Sequence, residues 1–243
     1  MNQKIRIFKD GPQIAAAFTE VFAKKIELIV EEQPDVKVAI SGGSTPRIWF
    51  NYLVNHFKDK LPWSKLHFYW VDERCVPPDD EQSNYGMTYT HLLHQIEIPE
   101  ENVHRVRGED DPETEAERYG QLIKQNLPDR QGWPKFDVII LGMGDDGHTA
   151  SIFPDQLPLL ESEKVCAVGV HPDSGQKRIT LTGKVINQAD WIAFMVTGQG
   201  KSEMVAKIVN QEPDSVKYPA RHIVPEHGFS EWYLDEAAAT KLN

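Results

Sequence analysis

The feature that most constrains this chain is the run from residue 137 to 154, DVIILGMGDDGHTASIFP, where an apolar segment stops against a turn holding three glycines and one histidine. The unbroken apolar stretch Val138 to Leu141 suits a strand buried on both faces, as in a parallel sheet. Gly142, Gly144 and Gly147 permit backbone conformations closed to other residues and let a ligand approach the main chain, while Asp145 and Asp146 favour turns. Thr149 to Phe153 reads as a first helical turn, with Pro154 close behind. Open α/β sheets bind ligands at the carboxyl ends of their strands, and free N–H groups there can hold an anion or oxyanion. Histidine, whose unperturbed titration lies near neutrality, stands at this point as His148. The bland alternative is a strand-to-helix turn whose histidine caps a backbone carbonyl. The order GxGxxGH followed by small polar residues is more specific than a lone glycine pair.

Composition limits the classes open to the chain. At 243 residues, 40% hydrophobic and 26% charged, it can bury a substantial core as one α/β domain, residues 1–243. A net charge of -11 and a pI near 5.3 argue against nucleic-acid or anionic-membrane partners, so an anionic substrate must meet a local basic pocket. Cys75 and Cys166 are too few for a disulfide framework or a four-cysteine zinc site. The opening MNQKIRIFKD lacks an apolar leader segment, and no apolar run reaches about 18 residues. The expectation is a soluble, cytoplasmic protein.

Other strand ends carry further chemistry. Val36 to Ile40 reads as a strand running into Ser41-Gly42-Gly43-Ser44-Thr45-Pro46. Ser44 or Thr45 is expected to cap the helix that starts near Pro46, and hydroxyls, free N–H groups and a positive helix end make a phosphate cradle. Neither a Walker ending nor a full dinucleotide fingerprint is present at that loop, which favours a compact phosphate over a nucleotide. Leu66 to Val71 delivers Asp72, Glu73 and Arg74. Arg74 is suited to grip a phosphate, and Asp72 to hold a sugar hydroxyl or orient an imidazole. Arg178 to Thr182, RITLT, alternates as a strand facing a cleft would, presenting Arg178. Trp191 to Val196 is another buried strand, and Lys201 near the next helix start is a further phosphate candidate.

These segments together resemble the 6-phosphogluconolactonase family: SGGSTP at 41–46, VDERCVP at 71–77 with Ser83-Asn84, GMGDDGHTASIFP at 142–154 and RITLT at 178–182. The resemblance implies a three-layer α/β/α fold with a mostly parallel, Rossmann-like sheet of the sugar-phosphate isomerase and deaminase type. It also implies hydrolysis of a small phosphosugar lactone, 6-phosphoglucono-δ-lactone, with no metal and no nucleotide cofactor. In that likeness His148 is the base that activates water, Asp72 lies near it and the sugar hydroxyls, and Arg74 and Arg178 bind phosphate. The Ser41, Gly42, Gly43, Ser44 and Thr45 loop shares that task. Backbone N–H groups of Gly142, Gly144 and Gly147 are expected around the oxyanion. Two rivals exist. A glucosamine-6-phosphate deaminase resembles this pattern but typically reads DGHIAFNEP, with a ring-opening glutamate where Phe153 stands, and DEY where this chain has DER. A non-catalytic sugar-phosphate sensor usually carries a helix-turn-helix module, whereas this chain is expected to begin directly with its first strand.

Overall fold

The apolar runs become strands at almost every place where their composition demands it. The computed structural model describes residues 3–242. In chain order it runs β1 (Gln3–Phe8), α1 (Gly11–Glu32), β2 (Val36–Ile40), α2 (Ser44–Phe57), β3 (Leu66–Trp70), β4 (Asp72–Arg74), α3 (Asn84–His91) and β5 (Val103–His104). It continues with α4 (Pro112–Asn126), β6 (Asp129–Arg130), β7 (Trp133–Pro134), β8 (Val138–Leu141), β9 (Cys166–Val170), β10 (Lys177–Leu181) and α5 (Gly183–Asn187). Finally come β11 (Trp191–Val196), α6 (Ser202–Val209), β12 (Phe229–Asp235) and α7 (Glu236–Ala239).

Seven strands pair in the order β1-β12-β11-β8-β2-β3-β5, every neighbouring pair parallel. From β2 the chain steps outward to β3 and β5, and from β8 it steps the other way to β11 and β12. The crevice between the carboxyl ends of β2 and β8 is therefore the switch point where such sheets bind ligands. Both glycine loops open there.

Helix α1 shows how the layers are held. Asp10 accepts the Gln13 N–H as its cap, and Ile14, Phe18, Phe22 and Ile26 recur every fourth residue on its buried face. Phe18 meets Trp49 of α2 at 5.1 Å, Trp191 of β11 at 5.4 Å and Tyr233 of β12 at 5.0 Å between ring centroids. Truncating this buried ring to alanine would cost about 3–5 kcal/mol. The helix ends at Gln33, before Pro34.

At Val71 the chain leaves the main sheet for a smaller antiparallel one, β4-β10-β9. The Val71 N–H donates to Ile40 O while its carbonyl accepts from Leu181 N, so one residue joins both sheets. Two local expectations are corrected. Thr149–Phe153 is not helical: Thr149 and Ile152 form a bridged turn with Ala150 at φ 50°, and a 3-10 helix begins only at Pro154. The α2 cap is Gly43 at φ 108°, which has no side chain to cap with: the helix already begins at Ser44, so Ser44 and Thr45 lie in its first turn, and the Thr45 hydroxyl pairs with Thr197. Among the described residues no helix is long and apolar enough to cross a membrane.

Candidate active site

The turn after β8 folds back on itself around His148. Asp146 Oδ1 accepts both the His148 N–H at 3.0 Å and, at 2.6 Å, its ring Nδ1. A carboxylate only accepts, so Nδ1 carries a hydrogen, and in the neutral ring it is Nε2 that has the lone pair. Burial raises the Asp146 pKa, but the bond to and charge of His148 outweigh it and hold the carboxyl below its ordinary range. Gly144 is required by close approach, since a Cβ there would lie 2.2 Å from the His148 ring. Gly147 adopts φ 80° where the turn reverses. The N–H groups of Gly144 and Gly147 are engaged by His148 O and Gly144 O. Of the three expected glycine donors, only the Gly142 N–H is left without a backbone acceptor among the described residues, and the Met143 N–H beside it makes no such bond either.

Asp72 starts β4 and is buried. Its Oδ2 accepts from Ser151 Oγ at 2.7 Å and its Oδ1 lies 3.4 Å from Asn84 Nδ2. The carboxylate that orients the histidine is thus Asp146, and Asp72 is left with acceptor capacity toward the cleft. Glu73 holds the opposite side of the strand, accepting N–H bonds from Arg74, Asn84 and Tyr85 and the Ser83 hydroxyl. Burial pushes its pKa up while those backbone donors pull against the rise.

Arg74 and Arg178 are cross-strand partners of β4 and β10. Arg74 Nη1 donates to Gln82 O at 2.7 Å, and its Nε is buried without a partner. Arg178 lies over the Phe153 ring at 5.7 Å. Burial lowers its pKa, and the Arg74 charge lowers it further. Lys201 stands 3.9 Å from the exposed Asp145.

A cavity of about 190 Å³ gathers most of the expected residues: Ser41, Gly42, Asp72, Arg74, Gly142, Gly144, His148, Arg178 and Lys201. Gly43 and Ser44 line an adjoining hollow that shares Arg74. Thr45 and Gly147 line neither, Thr45 because its hydroxyl is turned to Thr197. Ser41 Oγ is also committed, donating to Ile140 O at 2.8 Å, so that loop offers its backbone more than its hydroxyls. Asn84, Met143 and Ala150 complete the wall; each stood inside a recognised motif without a role of its own. Asn84 packs so close to Gly42 that a Cβ there would fall 1.8 Å from its Oδ1, a contact across 42 residues that only the fold reveals. A larger hollow of about 610 Å³ beside α3 is lined by neither the glycine turn after β8 nor His148. Among the described residues no cluster of three or more His, Cys, Asp or Glu is placed to hold a metal ion.

Residues 9–232 match the family described as glucosamine-6-phosphate isomerases/6-phosphogluconolactonase. The chain belongs to this family. A 6-phosphogluconolactonase of Treponema pallidum (strain Nichols) is 46% identical over 213 residues, 88% of this chain and 87% of that protein. The solved 6-phosphogluconolactonase of Trypanosoma brucei superposes with a TM-score of 0.90 at 30% identity, covering 100% of this chain and 99% of that one. A monomeric glucosamine-6-phosphate deaminase superposes with a TM-score of 0.82 at 21% identity, covering 98% of this chain and 99% of its own, a likeness of fold alone. Within the glucosamine-6-phosphate isomerase/6-phosphogluconolactonase family the residues around the cleft must decide the chemistry, and here Phe153, wholly buried, packs on the His148 ring at 4.7 Å.

Proposed function

We propose that this chain hydrolyses 6-phospho-D-glucono-1,5-lactone to 6-phospho-D-gluconate, the second step of the oxidative pentose phosphate pathway. The observation that carries the reading is a histidine held through Nδ1 by a carboxylate, in a cleft that also exposes two opposed arginines. The named activity of the Treponema pallidum and Trypanosoma brucei relatives supports the same choice.

The chemistry follows from the placement. His148 Nε2 takes a proton from water as the water oxygen attacks the lactone carbonyl carbon. Asp146 remains ionised and stabilises the imidazolium without itself accepting the proton. Negative charge on the former carbonyl oxygen is met by the N–H groups of Gly142 and Met143. Collapse breaks the bond from that carbon to the ring oxygen, and His148 returns its proton to the departing oxygen, giving the open carboxylic acid. Arg74, Arg178 and Lys201 hold the 6-phosphate, with the Ser41 to Thr45 loop, where α2 begins at Ser44 without a side-chain cap bond. Asp72 Oδ1 accepts from a sugar hydroxyl. A deaminase would need an acid for ring opening where Phe153 offers none. The same reading places the protein in the cytoplasm as one α/β domain acting on a small phosphosugar, without nucleic-acid or membrane partners.

Generating the unstable lactone in place with glucose-6-phosphate dehydrogenase and NADP tests the reading. Hydrolysis above the spontaneous rate supports it. Ammonia release from glucosamine 6-phosphate with no lactone turnover would overturn it.

A further inference from the structure

The two arginines are joined through two glutamines. Arg178 Nε donates to Gln176 Oε1 at 3.2 Å, Gln176 Nε2 donates to Gln82 Oε1 at 2.8 Å, and the Gln82 carbonyl accepts from Arg74 Nη1 at 2.7 Å. A guanidinium has donors only, so Gln176 must present its oxygen to Arg178 and its NH₂ to an acceptor, which Gln82 supplies. Every group in the relay has one consistent orientation.

The two glutamines ride on separate segments flanking the cleft. Gln176 ends the turn between β9 and β10, where the His171 N–H donates to Gln176 O. Gln82 lies in the loop from β4 to α3, whose base is fastened by the four donors on Glu73. Among the described residues, Gln176 to Gln82 is the one hydrogen bond joining residues 76–83 to residues 170–176. On its outer side the hairpin is pinned separately, by Gln156 bonding both the N–H and the carbonyl of Val170.

We propose that Gln82 and Gln176 are positioning residues that set the separation of the Arg74 and Arg178 guanidinium groups and so favour a compact dianion between them. The proposal rests on the assignment of both arginines to the 6-phosphate. Opposed like charges repel, and long side chains lose rotamer freedom when a ligand orders them. A relay that orders them beforehand removes part of that loss from binding. His148 and Asp146 follow a strand of the other sheet and share no hydrogen bond with the relay. The effect should therefore appear in substrate capture rather than in the water step.

Steady-state kinetics of Gln176→Ala, Gln82→Ala, the double variant and Arg178→Ala test this on the phosphorylated lactone and on unphosphorylated glucono-δ-lactone. Gln82→Ala keeps the carbonyl that Arg74 uses and removes only the tie. Each single glutamine variant should raise KM for the phosphorylated lactone roughly threefold to tenfold, with kcat changed far less. The double variant should lose no more than Gln176→Ala alone, because the tie acts as one unit. Unchanged KM in both single variants, equal losses on both lactones, or additive losses in the double would overturn the proposal. Arg178→Ala separates the two readings. If it loses equally on both lactones, the phosphate assignment falls; if it loses mainly on the phosphorylated one while the glutamine variants match wild type, only the positioning role falls.

Discussion

Arg74 and Arg178 face each other across the antiparallel β4–β10 ladder, two positive charges in direct register. Such pairs are unfavourable in a sheet unless something negative compensates. Asp72 raises the Arg178 pKa, but burial and Arg74 outweigh it and leave the guanidinium below its ordinary value. The arrangement is one that a dianion would stabilise, and the first prediction draws on it.

Arg178→Ala should lower kcat/KM for the phosphorylated lactone by about tenfold to a hundredfold, as expected for one or two charged hydrogen bonds to phosphate. The loss on glucono-δ-lactone, which has no phosphate, should be much smaller. Comparing the two ratios under one set of conditions decides the matter. Equal ratios would mean that Arg178 supports the fold or the chemistry, and would move phosphate recognition to Arg74, Lys201 or the loop after β2.

His148→Asn should lower kcat by roughly 10²- to 10⁴-fold with KM much less affected. Thermal unfolding checks that the variant is folded. A kcat near wild type would reduce the histidine to a structural cap on its own turn.

Acid should inhibit in a defined way. The base works only as neutral imidazole, so kcat/KM should fall as pH drops. The Asp146 carboxyl, held below its ordinary range by His148, stays ionised through that fall. Asp146→Asn removes the acceptor that holds the hydrogen on Nδ1, so the maximal rate should drop. A maximal rate unchanged in Asp146→Asn but lost in His148→Asn would show that the carboxylate only shapes the turn.

A separate pH effect belongs to the far edge of the main sheet. His104 of β5 lies 3.1 Å from His67 Nδ1 and stacks on Tyr69 at 4.3 Å, and its pKa is pushed down to about 4 by burial, then by the His67 and Lys37 charges. His67 is lowered likewise by burial and Lys37, with Asp35 opposing. The unfolded chain, with histidine near ~6.5, then takes up protons first, so stability should decline as pH falls from about 6.5 to about 4. Urea midpoints across that range should show it, and His104→Phe, which keeps a ring on Tyr69, should flatten the curve. The same slope in the variant would assign the effect elsewhere.

Much of this was legible in the chain because strand ends announce themselves. The apolar run 36–40 stops at Ser41-Gly42-Gly43 and the run 138–141 at Gly142, and the fold sets those two stops side by side at the switch point. What escaped the sequence was whatever depends on partners far away or on single dihedrals. Asp146 looked like a turn former, and its role as the histidine's partner rests on a ring folding back over Gly144. Asn84 stood in a recognised motif, yet its place against Gly42 requires β3 to lie beside β2. Thr149 to Phe153 failed as a helix because five residues hold too little periodicity to reveal a left-handed Ala150.

Val71 divides the cleft between two sheets: the His148 turn follows β8 of the large one, while both arginines sit on strands of the small one. If His148 activates water and Arg178 holds the end group as proposed, the hairpin that carries Arg178 can change which end group is admitted without disturbing the His148 turn. New substrates in such a scaffold are reached by remodelling an appendage, and the inherited reaction stays where it is.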